Sequence, residues 1–281
     1  MNLRTALVLG RVSNLPTVWT NALAALALSG ALLPPGALLL LLLALTLFYT
    51  GGMYLNDAFD AEIDRAERKS RPIPRGEADS RLVFVLGVFQ MALATALAFT
   101  LGFRVGLAAV ALGAAIFAYD VWHKQTVLSP VLMGLCRMLV YLTAALAVDG
   151  PNAALGLGAV GLFCYVVGLT YAAKQEAYDR IGAVWPLLVL AVPIVVAAHA
   201  AWGEPLALAG LVLLIGWMGW ALRYLFRRAP GDVPRAVVAL IAGIALYDAT
   251  LIAGTGAPVL AFLALIGFAL TLFLQRVAPG T

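Results

Sequence analysis

The stretch ALLLLLLALTLFYTGGMYLNDAFDAEIDR, residues 37–65, changes character once, and that change decides how the chain folds. Residues 37–55 carry no charge and are long enough, as helix, to cross a hydrocarbon layer of about 30 Å. At Asn56 the run turns acidic: Asn56-Asp57-Ala58-Phe59-Asp60-Ala61-Glu62-Ile63-Asp64-Arg65. The reading is a membrane helix that delivers a cluster of carboxylates to one membrane surface.

The rest of the chain repeats the first half of that pattern. Apolar segments of roughly 17 to 22 residues predict helices near 15–33, 37–55, 82–103, 105–121, 128–148, 153–173, 183–201, 205–225, 234–252 and 257–275. Pro34-Pro35-Gly36, Asp149-Gly150-Pro151, Gly203-Glu204-Pro205 and Gly254-Thr255-Gly256 are tight connections with little room for an extramembrane domain. The runs are too long and too uniform for barrel strands. Of 281 residues, 63% are hydrophobic and 11% charged, and the mean hydropathy is +0.99. That composition excludes a water-soluble enzyme, a disordered chain and a small secreted domain. The expected fold class is all-α: a polytopic membrane bundle of nine to ten helices around a central cavity, with residues 1–281 as a single transmembrane domain. A first span is a better reading of the N-terminus than a cleavable signal, because further spans follow at once. Cys136 and Cys164 lie in apolar stretches without ligand spacing and read as small buried side chains.

The net charge of +4 sets an orientation rather than a basic partner surface, and no nucleic acid is expected. Numbering the connections puts sixteen of the eighteen Lys and Arg residues on one side, including Arg65, Arg68, Lys69, Arg71, Arg75 and Arg81. Arg104 lies opposite, and Arg137 lies inside the fifth segment. The positive-inside bias then places both termini and the acidic motifs in the cytoplasm of a prokaryotic cell. The ninth segment fits least well, because Asp248 interrupts it.

Offsets of 0, 3 and 7 put Asp57, Asp60 and Asp64 within about 60° of arc on one helix face. Three like charges there repel, unless a divalent cation sits between them; hard carboxylate oxygens suit Mg²⁺ shared with substrate phosphates. Asn56 is placed to orient such a group. The other reading is a solvated acidic end balanced by the arginines that follow. The loop Glu67-Arg68-Lys69-Ser70-Arg71-Pro72-Ile73-Pro74-Arg75-Gly76 is basic and stiffened by two prolines, which suits a metal-bridged diphosphate and equally a plain topology signal. A second polar run, Tyr171-Ala172-Ala173-Lys174-Gln175-Glu176-Ala177-Tyr178-Asp179-Arg180, brings Glu176 or Gln175 onto one face with Asp179. These residues either hold a second cation or pair locally. Arg137, inside a span, needs a cavity, an anion or a carboxylate. Asp120, His123, Lys124 and Arg137 are placed to line the same mouth.

These residues resemble the UbiA superfamily of membrane prenyltransferases, as a divergent branch of it. The likeness rests on Arg11, Asn14 and Pro16, on Asn56-Asp57-x-x-Asp60-x-x-x-Asp64, on Arg71-Pro72 with Gly76, and on Tyr171-x-x-Lys174 with Asp179 and Gly182. The resemblance implies Mg²⁺-assisted ionisation of a prenyl diphosphate, its tail running between helices towards membrane lipid. The acceptor it implies is small and hydrophobic or aromatic, such as a quinone precursor. Asp57, Asp60 and Asp64 would hold one metal, and Asp179 with Glu176 the second. Lys174, Lys124, Arg71 and Arg137 would neutralise the leaving group, and Tyr119, Tyr171 and Tyr178 offer aromatic faces to a carbocation or serve as interfacial belt residues. Asn14, Asn56 and Gln175 complete the expected substrate contacts. Gln175 departs from the family, whose second motif begins with Asp at that position; the lost charge weakens metal binding unless Glu176 replaces it. The alternative function is therefore a carrier that keeps the isoprenoid pocket without the catalysis.

Overall fold

The computed structural model describes residues 1–124, 126–175, 183–227 and 229–277. Among these the regular structure is helical. Short α1 (Leu3–Leu9) leads through a 3-10 turn, Val12–Asn14, into α2 (Pro16–Leu28). Then come α3 (Pro35–Phe59), α4 (Ala61–Glu67), α5 (Ser80–Leu101), α6 (Phe103–Trp122), α7 (Ser129–Leu146) and α8 (Ala153–Lys174). A 3-10 segment, Trp185–Leu190, opens α9 (Ala191–Ala200), followed by α10 (Pro205–Arg227), α11 (Asp232–Gly254) and α12 (Pro258–Val277).

Every predicted apolar segment contains a helix, and eight of those described are long and apolar enough to span. The chain is an integral membrane protein. The two shorter ones have local causes. Helix α2 ends at Ser29, with Gly30 at φ 76°, before Pro34-Pro35 restarts the chain as α3. The segment at 183–201 starts as a 3-10 helix at Trp185-Pro186 and carries Pro193 in the first turn of α9, where a missing N–H costs little. Elsewhere the helix starts follow side chains. Asp79 Oδ1 accepts from Leu82 N at 2.9 Å, and Asn152 Oδ1 accepts from Leu155 N at 2.8 Å.

Helix α11 is buried along almost all its length, whereas α5, α10 and α12 expose most of theirs, as lipid-facing helices do. The segment that Asp248 had made the least convincing span is thus the innermost. The carboxylate is tolerated because it is saturated: Oδ2 accepts from Thr20 Oγ1 at 2.5 Å and Asn21 Nδ2 at 2.8 Å, and Oδ1 accepts from Tyr141 OH at 2.6 Å. One side chain thereby ties α2, α7 and α11 together. On the opposite flank α3 and α5 cross closely at Gly51 and Gly87. A Cβ on Gly51 would stand 3.1 Å from the Gly87 carbonyl oxygen, and one on Gly87 would stand 3.0 Å from that of Gly51. These two fastenings fix the walls of a chamber that opens at the acidic end of α3.

Candidate functional site

A cavity of about 400 Å³ lies between α3, α6, α7, α8 and α11. Four walls read directly as helical stripes. Tyr49, Met53, Asn56 and Asp60 come from α3 and its C-cap, Tyr119 and His123 from α6 and its C-cap, Ser129, Met133 and Arg137 from α7, and Val237, Ile241 and Ile244 from α11. Each set recurs at three- or four-residue steps, so a single face of each helix is turned inward. Helix α8 adds Val166, Leu169, Thr170, Ala173 and Lys174. A smaller apolar pocket of about 70 Å³ adjoins it, sharing Tyr49, Met53, Tyr119, Met133 and Arg137, and is closed by Val18, Phe48, Ile116, Asp120 and Cys136.

At the mouth the expected carboxylates are buried together and matched by cations. Arg71 Nη1 bridges Asp57 Oδ1 at 3.0 Å and Asp64 Oδ2 at 2.9 Å. Arg11 Nη2 stands 3.3 Å from Asp57 Oδ1 and from Asn56 Oδ1. Asp60, the acidic residue of the three that lines the cavity, meets Lys124 Nζ at 3.0 Å and His123 Nε2 at 3.4 Å. Burial pushes the Asp60 carboxyl up, but the hydrogen bonds and charges of His123 and Lys124 outweigh it and hold it below the ordinary carboxylate range. Arg11 sits in the left-handed region at φ 44°, rare for a side chain of its size, at the break between α1 and the 3-10 turn. Burial opposes its charge, but Asp57 and the neighbouring oxygens prevail and raise its pKa.

In this arrangement the three carboxylates are paired with protein cations. Among the described residues no three Asp, Glu, His or Cys side chains converge as a metal group, and Arg71 bridges Asp57 and Asp64. Other predicted residues divide. Asn14, Asn56, Arg71, Lys124, Arg137, Tyr119 and Lys174 line the cavity. Lys174 Nζ donates to Thr126 O and Ser129 Oγ, each at 2.8 Å. Tyr171 is not among the described lining residues, since its hydroxyl donates to Ala183 O at 2.8 Å, and neither is Gln175, the C-cap of α8. Glu176, Tyr178 and Asp179 lie outside the described residues.

Arg137 sits halfway along α7, where its guanidinium donates to Asn21 Oδ1 at 2.8 Å and Thr17 Oγ1 at 3.1 Å and lies 5.7 Å from the Tyr49 ring centre. Asn21 also donates to Asp248, so the innermost polar tie of the bundle holds the cavity's deepest cation. Tyr49, Met53, Ser129 and Met133 escaped the sequence reading, although the stripe 49, 53, 56, 60 already carries the first two onto the face of Asn56 and Asp60. At the mouth, Gln275 Nε2 of α12 donates to Asn14 Oδ1 at 3.0 Å, bringing the end of the last long helix beside the start of α2.

The sequence profile of the UbiA prenyltransferase family matches residues 15–242, a range that includes most of the cavity's lining. A digeranylgeranylglyceryl phosphate synthase of Pyrococcus abyssi is 37% identical over 127 residues, 45% of this chain and 43% of the relative. The chain thus spans less than half the length of that curated relative. The solved structure of a digeranylgeranylglyceryl phosphate synthase shares the fold, with a TM-score of 0.64 at 17% identity over 90% of this chain and 98% of that one. A UbiA homologue from Archaeoglobus fulgidus bound to DMAPP and Mg²⁺ does so with a TM-score of 0.53 at 14% identity, over 97% of this chain and 99% of that one.

Proposed function

We propose that this chain, which belongs to the UbiA prenyltransferase family, transfers a prenyl group from an isoprenyl diphosphate to a hydroxyl of a glyceryl phosphate acceptor within the membrane. The expectation of an aromatic or quinone-precursor acceptor is replaced, because the curated relatives that match are synthases of digeranylgeranylglyceryl phosphate. The physical reason lies in the cavity. Its described lining carries Arg11, Arg68, Arg71, Lys124, Arg137 and Lys174, six cations against Asp60 in the lining and Asp57 and Asp64 beside it, which leaves three in excess. A diphosphate and a second phosphate on the acceptor together suit that excess. This surplus of positive charge is the observation that carries the reading.

The residues present fit a magnesium ion in donor chemistry, since Asp57, Asp60 and Asp64 supply hard oxygens at one helix end whose charge is compensated by cations that can exchange partners. Those three would hold it, and Asp179 with Glu176 would serve a second ion. An Mg²⁺ ion held there would supply stabilisation of negative charge on the departing diphosphate. The protein's part is charge exchange. Arg71, Arg11 and Lys124 leave carboxylates for phosphate oxygens, so no cation becomes unpaired as substrate enters. The apolar wall of Val237, Ile241 and Ile244 receives the first part of the prenyl chain and keeps water from the allylic centre. Tyr49 and Tyr119 offer ring faces to the positive charge that develops there. Lys174 and Asn14 position the substrate at the mouth. The acidic end and both termini face the cytoplasm, a reading supported by the sixteen cations on one side.

The experiment is transfer by purified protein in nanodiscs with Mg²⁺ and geranylgeranyl diphosphate, offered geranylgeranylglyceryl phosphate or a hydroxybenzoate. A glyceryl ether product supports the reading. Tight diphosphate binding with no product from the glyceryl phosphate supports the carrier function instead.

A further inference from the structure

Asp120 stands in the last turn of α6, 3% exposed, with half of its carboxylate unused. Oδ1 accepts from Asn56 Nδ2 at 3.2 Å. Oδ2 is buried and has no hydrogen-bond partner among the described residues. Few groups are as costly to bury as an idle carboxylate oxygen, which forfeits the hydration it had in water. Other buried carboxylates of the bundle do not share this condition: Asp248 accepts three hydrogen bonds, and Asp57, Asp60 and Asp64 face cations. The difference lies in what Asp120 faces. It lines the apolar pocket of about 70 Å³, which shares Tyr49, Tyr119 and Arg137 with the main cavity. Asp120 thus brings an unpaired, buried oxygen to the wall of an apolar recess beside the chamber where the diphosphate is proposed to bind.

We propose that Asp120 is the catalytic proton acceptor for the attacking hydroxyl, with Asn56 as the residue that fixes its orientation. This rests on the reading of the cavity as a prenyl transfer site with an alcohol acceptor. An alcohol, unlike an electron-rich ring, carries the proton on its nucleophilic atom, and that proton must go as the ether forms. The acceptor O–H donates to Asp120 Oδ2. The oxygen lone pair forms the new bond to the allylic carbon. The bond from that carbon to the diphosphate oxygen breaks, and its electron pair leaves with the diphosphate. The hydroxyl proton moves to Oδ2, and the neutral carboxyl later releases it to water at the cavity mouth as product departs. Asn56, one turn from Asp60 on the same stripe, couples the proton acceptor to the diphosphate end.

The test uses full-length protein in nanodiscs with geranylgeranyl diphosphate and two acceptors: geranylgeranylglyceryl phosphate and its analogue with a thiol in place of the free hydroxyl. Asp120→Asn preserves shape and the Asn56 contact but cannot take the proton. Transfer to the hydroxyl is expected to fall about 100-fold or more, the range for removing a general base, with KM for the diphosphate changed less than about 3-fold. Transfer to the thiol, which ionises without help, is expected to fall less than about 5-fold. Asp120→Ala supplies a second variant, whose activity with the hydroxyl acceptor formate restores about 10-fold by entering the vacated site. Equal losses with both acceptors and no rescue by formate would reduce Asp120 to a structural group and overturn the proposal. So would an Asp120→Asn protein as active as wild type. A wild-type protein that makes no glyceryl ether overturns the functional reading and this assignment with it.

Discussion

Lys124 Nζ lies 3.0 Å from Asp60 Oδ1, a cation resting on the carboxylate that faces the cavity. On the proposed reading, a magnesium-bound diphosphate takes both partners, the carboxylate by its metal and the ammonium by its oxygens. The same reading makes the pair a latch that substrate opens from both sides. Replacing Lys124 with Ala separates the two effects. Half-saturation with Mg²⁺ is expected at about 3- to 10-fold lower concentration, because Asp60 loses a competitor, while turnover falls about 10- to 100-fold with the leaving-group cation. Steady-state rates across a Mg²⁺ titration give both numbers.

Arg71 joins Asp57 to Asp64 and is itself shielded from water. In Arg71→Leu the two carboxylates are left facing each other, so loss of stability is expected in the metal-free protein, of order 3 kcal/mol for breaking a buried ion network. Thermal unfolding in detergent should show that loss shrink on adding millimolar Mg²⁺. A loss of stability that magnesium leaves unchanged would count against these carboxylates as its ligands.

Asp248 ties three helices through Thr20, Asn21 and Tyr141, and Asn21 in turn holds Arg137. Asp248→Ala strands three donors in the core, and a cost of about 3–5 kcal/mol is expected. Asp248→Asn keeps the acceptor oxygen and should cost less than half as much. Unfolding midpoints of the two variants check the order.

Much of the fold was legible because lipid simplifies the reading: uncharged runs of adequate length leave little choice but helix. The acidic run 56–64 was legible too, as was the anomaly of Arg137 within a span. Harder were the partners. Nothing local tells that Thr20, Asn21 and Tyr141 meet at Asp248, since those contacts close loops of a hundred residues or more, and the turn that brings Arg71 back between Asp57 and Asp64 is not written in the spacing of the carboxylates. The aromatic acceptor came from the family resemblance, which does not set the acceptor; the relatives that match replace it, and the excess of cations over carboxylates appears only in the assembled cavity. Glu176 and Asp179 lie outside the described residues, so their part is carried by the sequence motif.

Gln175, which the resemblance sets where the family's second motif has Asp, is the C-cap of α8 and does not enter the described cavity lining. If the second metal is weak for want of that charge, Gln175→Asp should lower the Mg²⁺ concentration for half-maximal transfer about 3- to 10-fold, with less change in turnover at saturating metal. Unchanged metal dependence would place the deficit elsewhere.

The most direct test of a metal-bridged diphosphate at the acidic end of α3 is the affinity for a non-reactive prenyl diphosphate analogue, a thiodiphosphate, measured by calorimetry in nanodiscs with and without Mg²⁺. Wild-type protein is expected to bind it at least about 10-fold more tightly with the metal, worth about 1.4 kcal/mol, and Asp60→Asn is expected to lose that gain while keeping its helical content. Affinity that ignores magnesium in the wild type, or a full magnesium gain in Asp60→Asn, would contradict it.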